Sequence, residues 1–412
     1  MKNSIIFFGV NLILIITSLL LSVVISELGV TYLFLVLSAV VVYYHESRRL
    51  RSSLFESMVL LVSIPLFIVI VFYGYEPFFL FSDDEYYYLA GKSQHLRSFN
   101  GLINSFLFEE DLDFNNYLYI ASVFFKLFGY HQFVYVVVNF ICLIRILSFI
   151  SEAKTENKKM NILRWMPLEL ILFTFFCFKD ILLCFVVTEY VRNTVKANLL
   201  IYVISSVLLV VIVEPLRVGY SSVFIFVIGI VKFTNFLTFL RKIPIIISIW
   251  GLFLLVQVSL ATILAITEGG LSYKIYYYVQ SLIARVAESS GFLSIFYNAF
   301  NSGNIFYSIL IVCFTVFIPI LTVPANFDNS YILFMICRFI SLLQYLLLLL
   351  RVRNLDFRYS QRKTVVAFLF VALTVIHLNF APGMLRHTLI ILPFMYSLLI
   401  SVEHEKKITS LH

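Results

Sequence analysis

The run QFVYVVVNFICLIRILSFI, residues 132–150, decides the fold class. It carries one charge, Arg145, and as a helix it measures roughly 28 Å at about 1.5 Å per residue. A membrane span needs about 20 mostly apolar residues. The segment that follows, 152–164, is strongly basic, with Lys154, Lys158, Lys159 and Arg164. An apolar rod ending in a basic loop is the mark of a helix that stops at the cytoplasmic face of a membrane.

Comparable runs recur along the whole chain, at 5–25, 28–44, 58–73, 198–213, 221–239, 243–266, 305–323, 331–350, 364–378 and 388–402. Across the 412 residues, 61% are hydrophobic and 13% charged, against about 25% charged in ordinary soluble chains. The expectation is an all-α, polytopic integral membrane protein of about 12 crossings, a single membrane domain over 1–412. A transmembrane β-barrel would show short alternating segments instead.

Basic loops orient the spans. Arg48, Arg49 and Arg51 lie in one, and Arg351, Arg353, Arg358, Arg362 and Lys363 in another; Arg241-Lys242 and Lys406-Lys407 agree with them. These loops are cytoplasmic by the positive-inside rule, which puts both termini in the cytoplasm. The net charge of +7 is thus a topology signal and not nucleic-acid affinity. Two longer stretches fall on the opposite face, 76–116 and 267–304, with a short turn at 379–386. Between Lys242 and Arg351 three spans join two basic ends, where an even number is required. Either 291–299 crosses as well or one span is re-entrant. Residues 117–129 are too short to cross and read as an interfacial or re-entrant helix. The apolar run of 166–192 is broken by Lys179-Asp180.

The five cysteines lie in apolar stretches without metal-ligand spacing and read as small buried hydrophobes. No P-loop, dinucleotide fingerprint, HExxH or nucleophile elbow is present, so no cofactor and no bound metal are expected.

Ionisable groups at membrane depth are costly and mark candidate sites. Arg386-His387, in the segment 379–393, joins a phosphate-binding guanidinium to a group that titrates near neutral pH; simple interfacial anchoring is the alternative. Lys179 reads as a phosphate contact with Asp180 positioning it, or as a pair that neutralises itself at a helix turn. Arg217 follows Glu214-Pro215 near a helix start, where anions are favoured, or it snorkels beside Glu214. Asp83 and Asp84, before Glu85-Tyr86-Tyr87-Tyr88, read as a substrate or base site, or as acidic first-turn residues of a helix. Lys274, Tyr278, Ser281, Arg285 and Glu288 share one stripe of an amphipathic helix, and Arg285 either faces water or points into a substrate groove. Arg338 sits seven residues into its span, too deep for a casual surface position, and reads as a substrate contact or as a group held by a structural partner such as a backbone carbonyl. His377, alone on an apolar helix, reads as a packing residue.

The order of these pieces resembles the Wzy-type O-antigen (oligosaccharide repeat-unit) polymerases, over Pro167 to the C-terminus. Phe178-Lys179-Asp180 looks like that family's lysine–acid pair after a proline-started helix. Leu216-Arg217 resembles the arginine after the next span, although Val218 stands where proline is usual. Ala287–Gly291 and Pro324–Asp328 resemble its later turns, and Asn379 through Pro393 its Asn…Gly…Arg-(Tyr/His)…Pro segment. Asp83-Asp84 is similar to the first-loop acidic residues of polyprenyl-phosphate-sugar glycosyltransferases.

The resemblance implies glycosyl transfer at the outer face of a bacterial inner membrane. An undecaprenyl-diphosphate-linked glycan would donate to an incoming lipid-linked repeat. Arg217 and Arg386 would hold the diphosphate with Lys179 in support, and His387 or Asp84 would be the base. Membrane lipids and a chain-length regulator are the expected partners, with no nucleic acid. A polyprenyl-phosphate-sugar transferase, an O-antigen ligase and a lipid-oligosaccharide flippase stand as alternatives.

Overall fold

A computed structural model describes residues 9–13, 16, 29–73, 82–94, 101, 117–153, 166–176, 179–214, 216–217, 220–234, 242, 329–351, 360–380 and 389–409. Most of these residues are helical, without a β-strand among them. The all-α reading therefore holds. The segments 243–266, 267–304 and 305–323 lie outside the described residues, as does most of 5–25.

In chain order the helices are α1 (Gly29–Leu50), α2 (Ser53–Tyr73), α3 (Ser82–Gln94), α4 (Tyr117–Phe128), α5 (Gln132–Ser151), α6 (Leu168–Thr174), α7 (Lys179–Thr194), α8 (Leu199–Val213), α9 (Tyr220–Phe233), α10 (Asn329–Arg351), α11 (Gln361–Phe380) and α12 (Leu392–Thr409). The chain divides into two compact units, Met1–Ile228 with Leu399–His412, and Gly229–Leu398.

In the first unit α5 is the central element. It packs against α1, α2, α4, α6 and α7, and only Val138, Ile141 and Arg145 of its residues are not buried. A helix apolar on every side is stable only when neighbours cover every side. By length and composition α5 is also the one helix among the described residues able to cross a membrane; shorter apolar stretches lie at Ser53–Val69, Leu199–Val213 and Tyr220–Phe233.

The interrupted run of 166–192 becomes two helices. Pro167 precedes α6, whose seven residues end at Thr174 with Phe175 as the cap, and α7 starts at Lys179. The Asn139 amide of α5 donates to the Phe176 carbonyl at 2.8 Å, which satisfies a backbone acceptor that the break exposes. Asn198 caps α8 by accepting from the Ile201 amide at 2.9 Å.

α8 has its polarity reversed relative to a soluble helix. Tyr202, Ser206, Leu209 and Val213 form its buried stripe. Tyr190 of α7 bonds Ser206 at 2.8 Å, and the Tyr202 hydroxyl donates to the Ile225 carbonyl at 2.7 Å. The remaining faces are apolar and exposed: Leu199, Leu200, Ile201, Val203, Ile204, Val207, Leu208, Val210 and Val211. α1 has a similar outward stripe in Leu33, Phe34, Leu37, Val41 and Tyr44.

Residues 117–129 form the helix α4, which packs on α3. A ring cluster joins them: Phe125 lies edge-on to Tyr88, Tyr130 and Tyr135, with centroids 5.7, 4.7 and 4.7 Å away. Gly91 faces this cluster, and Ser122 donates to its carbonyl at 3.2 Å.

In the second unit, Tyr345 of α10 packs against Phe370 of α11, and the Tyr396 hydroxyl donates to the Gln344 side chain.

Candidate functional site

The candidate site gathers at the break between α6 and α7. Lys179 opens α7 and Asp180 lies in its first turn; both side chains are buried. Arg217 comes to them from the turn after α8, 37 residues on. Three short backbone bonds shape that turn: Glu214 N–H to Val210 O at 3.0 Å, Leu216 N–H to Val213 O at 3.0 Å, and Arg217 N–H to Val213 O at 2.7 Å. The arginine is thereby turned back onto α7.

Arg217 Nη2 donates to Asp180 Oδ1 at 3.0 Å, with the two side chains 10% and 2% exposed. Its guanidinium also lies 5.5 Å from the centre of the Tyr220 ring, within cation–π range. Glu214 does not take the role of Arg217's neighbour in sequence; its carboxylate accepts a hydrogen bond from Ser221 instead. The second oxygen of Asp180, Oδ2, is buried and accepts no hydrogen bond from any described residue.

Asp180 and Arg217 thus meet in space, although most of α7 and all of α8 separate them in sequence, and buried Lys179 stands next to Asp180 in the chain. Asp180 neutralises Arg217. From sequence, Asp180 reads as positioning a phosphate contact made by Lys179 or as neutralising Lys179.

Other sequence candidates are placed differently. α3 begins at Ser82, so Asp83 and Asp84 occupy the first turn of a helix. Their side chains lie outside the description. Arg285, Arg386 and His387 also lie outside the described residues. Arg338 belongs to the second unit. It is 1% exposed on α10, with buried Ser341 and Gln344 three and six positions further on. Among the described residues no three His, Cys, Asp or Glu side chains gather as metal ligands.

A second charged constellation was missed from sequence. Arg145 on α5 reaches Glu189 on α7 through two hydrogen bonds of 3.0 and 2.6 Å, and also donates to Glu46 on α1. Arg49 donates to Glu46 at 2.6 Å and pairs with Glu152. Arg192 pairs with Glu152 at 3.0 Å and with Glu189, and the Ser148 hydroxyl donates to Glu46. The arginines and glutamates balance, three of each, so α1, α5 and α7 are tied together without net charge. Burial alone would push the Glu46 carboxyl up. The Ser148 and Arg49 hydrogen bonds and the charges of Arg145 and Arg49 outweigh it and hold the group at about 2. Arg145 inside an otherwise apolar run was the available sequence signal, of the same kind that singled out Arg338.

The two constellations stand a measurable distance apart. Along α5, Asn139 and Ser148 are separated by about 14 Å, and along α7, Lys179 and Arg192 by about 20 Å, at 1.5 Å per residue. No protein-family model, no curated protein and no solved structure matches this chain.

Proposed function

We propose that this chain is a multi-pass membrane glycosyltransferase that polymerises undecaprenyl-diphosphate-linked oligosaccharide repeat units at the outer face of a bacterial inner membrane. The observation that carries the reading is the buried Arg217–Asp180 pair at a helix break, with buried Lys179 next to Asp180 in the chain.

Support for a bilayer comes from α8 and α1. A soluble protein rarely exposes large contiguous apolar patches, whereas lipid makes such faces favourable. Tyr202 and Ser206 of α8 point inward with Leu209 and Val213, while its other faces put apolar side chains outward, an arrangement that suits lipid. In the proposed orientation the Glu46–Arg49–Arg145–Glu152–Glu189–Arg192 network is cytoplasmic, since it adjoins the basic loops at 48–51 and 152–164. Lys179 then lies about 20 Å outward in a hydrocarbon core of about 30 Å, in the outer half.

Glycosyl transfer from a lipid diphosphate leaves negative charge on the departing oxygen. Fixed cations stabilise that charge most where water is excluded. Arg217 supplies a planar guanidinium suited to phosphate oxygens, Lys179 a second cation, and the start of α7 a partial positive potential. Arg386 is proposed as a diphosphate binder in its own right, and His387 or Asp84 as the base that takes the acceptor's proton. Membrane lipids and a chain-length regulator are the proposed partners.

A flippase for the same lipid is the second reading, favoured by the break between α6 and α7, because transporters use interrupted helices at their binding sites. One experiment separates the two. The gene is deleted, surface glycans are resolved by length, and wild-type or Arg217→Ala protein is restored at equal abundance. The polymerase reading expects single repeat units without a ladder, in the deletion and with Arg217→Ala. Loss of all surface glycan in the deletion favours the flippase, and a normal ladder with Arg217→Ala removes that residue from the mechanism.

A further inference from the structure

The outward stripe of α1 runs from apolar side chains into charge. Phe34, Leu37, Val41 and Tyr44 are 61, 47, 65 and 41% exposed, and Arg48 follows them, exposed as well. At about 100° per residue these five positions fall within about 80° of one another, so they make one line along the helix. The other side of α1 is buried, at Leu35, Tyr43 and Glu46 among others. The Arg48 guanidinium lies over the Tyr44 ring, 4.9 Å from its centre, an interaction with the ring face that does not use its N–H donors. From Arg48 to Phe34 the line measures roughly 21 Å at about 1.5 Å per residue. One leaflet with its headgroups is about 20–22 Å, half of a bilayer of about 40–45 Å.

Two observations at the charged end name the occupant. The first is the charge balance. Glu46, Glu152 and Glu189 are occupied by Arg49, Arg145 and Arg192, and Glu56 accepts from Ser47 at 2.6 Å. Arg48 and Arg51 are both exposed and make no ion pair among the described residues. Positive charge is therefore in surplus where the apolar line ends. The second is the backbone of Arg51. Its N–H closes α1 on the Ser47 carbonyl at 2.9 Å, with φ at 47°. Glycine takes this left-handed conformation freely at helix ends, whereas a residue with a side chain takes it at a cost. Such a cost is characteristic of positions whose side chain has a function.

We propose that the outward line of α1 is a binding site for an anionic phospholipid of the cytoplasmic leaflet. The lipid phosphate takes the Arg48 guanidinium, in the positive field of Arg51. Tyr44 stands at the level of the glycerol esters, where amphipathic rings are favoured. The acyl chains run along Val41 and Leu37 toward Phe34. A zwitterionic headgroup offers the same phosphate without net charge and gains less from two surplus cations. The inference rests on the bilayer orientation in the proposed function, which makes this end of α1 cytoplasmic, and is independent of the glycosyl-transfer chemistry.

Full-length protein is extracted in a neutral detergent, and binding of phosphatidylglycerol and phosphatidylethanolamine with identical acyl chains is measured by native mass spectrometry. Wild type should hold phosphatidylglycerol about tenfold more tightly, and Arg48→Gln should lower that preference about fivefold. Arg51→Gly removes a cation and frees the backbone of its cost, so it should lower the preference by a similar factor and yet melt no lower than wild type. Lys196→Gln, which removes an exposed cation just after α7, should keep the preference. Equal binding of the two lipids by wild type, or an unchanged preference in Arg48→Gln, overturns the site. An equal loss in Lys196→Gln also overturns it, because the preference would then follow total charge and not this line. A chain recovered as a soluble protein without detergent sinks the bilayer reading and the lipid site together. A chain that shows the preference but elongates no glycan when given lipid-linked repeat units leaves the site standing and sinks the polymerase reading.

Discussion

Arg145 of α5 and Glu189 of α7 meet as a forked pair, Nε to Oε1 at 3.0 Å and Nη2 to Oε2 at 2.6 Å. The same arginine bonds Glu46 of α1, so a single guanidinium joins three helices. Removing this part-buried arginine leaves the fully buried Glu46 carboxylate without one of its cationic partners, at a cost of about 3 kcal/mol. Arg145→Ala should therefore lower stability by about 3 kcal/mol, and Arg145→Ala with Glu189→Ala by less than the sum of the two single changes. Thermal denaturation of the purified proteins in detergent checks both; strict additivity would mean that the pair is uncoupled.

Acid should unlock the same network. Glu46 is held at about 2, below its ordinary value of 4.5, so its contribution to stability is complete above the ordinary value and is lost as pH falls through about 2. The melting temperature is expected to be unaffected by Glu46 between about pH 8 and about pH 5, and to fall at lower pH. Glu46→Gln should melt lower at neutral pH and show a shallower acid limb. An identical acid limb in wild type and variant would assign the acid sensitivity to other groups.

Gly91→Ala tests the seam between α3 and α4. An added Cβ would lie 2.8 Å from Phe125 Cε2 and 3.3 Å from the Tyr135 hydroxyl oxygen. The Phe125 ring is buried among Tyr88, Tyr130 and Tyr135 and has no open side to move toward. Overpacking of this kind costs about 1–3 kcal/mol. The variant should melt several degrees lower, and Phe125→Leu should recover part of the loss. A neutral Gly91→Ala would show that the ring yields.

Asn139→Leu removes the donor that anchors the break. The Phe176 carbonyl then loses its 2.8 Å bond inside the first unit, at an expected cost of about 1–3 kcal/mol. If the break positions Lys179 and Asp180, polymer length in the complementation assay should fall further than in Gly91→Ala at matched abundance. Equal effects would reduce Asn139 to a stability residue.

Much of the first unit was legible because apolar runs have one economical solution. The runs at 28–44, 58–73, 132–150 and 198–213 are found as α1, α2, α5 and α8, with ends displaced where polar turns continue the helix, as Glu46 and Arg49 do on α1. The short run at 117–129 is the helix α4. Lys179-Asp180 marks a true interruption, because two charges in an apolar run need partners that a continuous helix packed on α5 would not provide.

What one sequence cannot carry is which of its charges meet. Glu46, Arg145 and Glu189 belong to three runs that read as independent rods, and their spacing along the chain holds no trace of the network they form. Asp180 stands beside Lys179 in sequence, yet the turn after α8 brings Arg217 to its Oδ1. Hydrophobicity and its period are local properties of a chain, so the sequence by itself determined that this protein is helical, where its helices run and which residues would be costly to bury. Charge pairing depends on distances between helices, and those exist only after packing. The tertiary structure alone decided that Arg217 is answered by Asp180 and that three glutamates and three arginines tie α1, α5 and α7 into one unit.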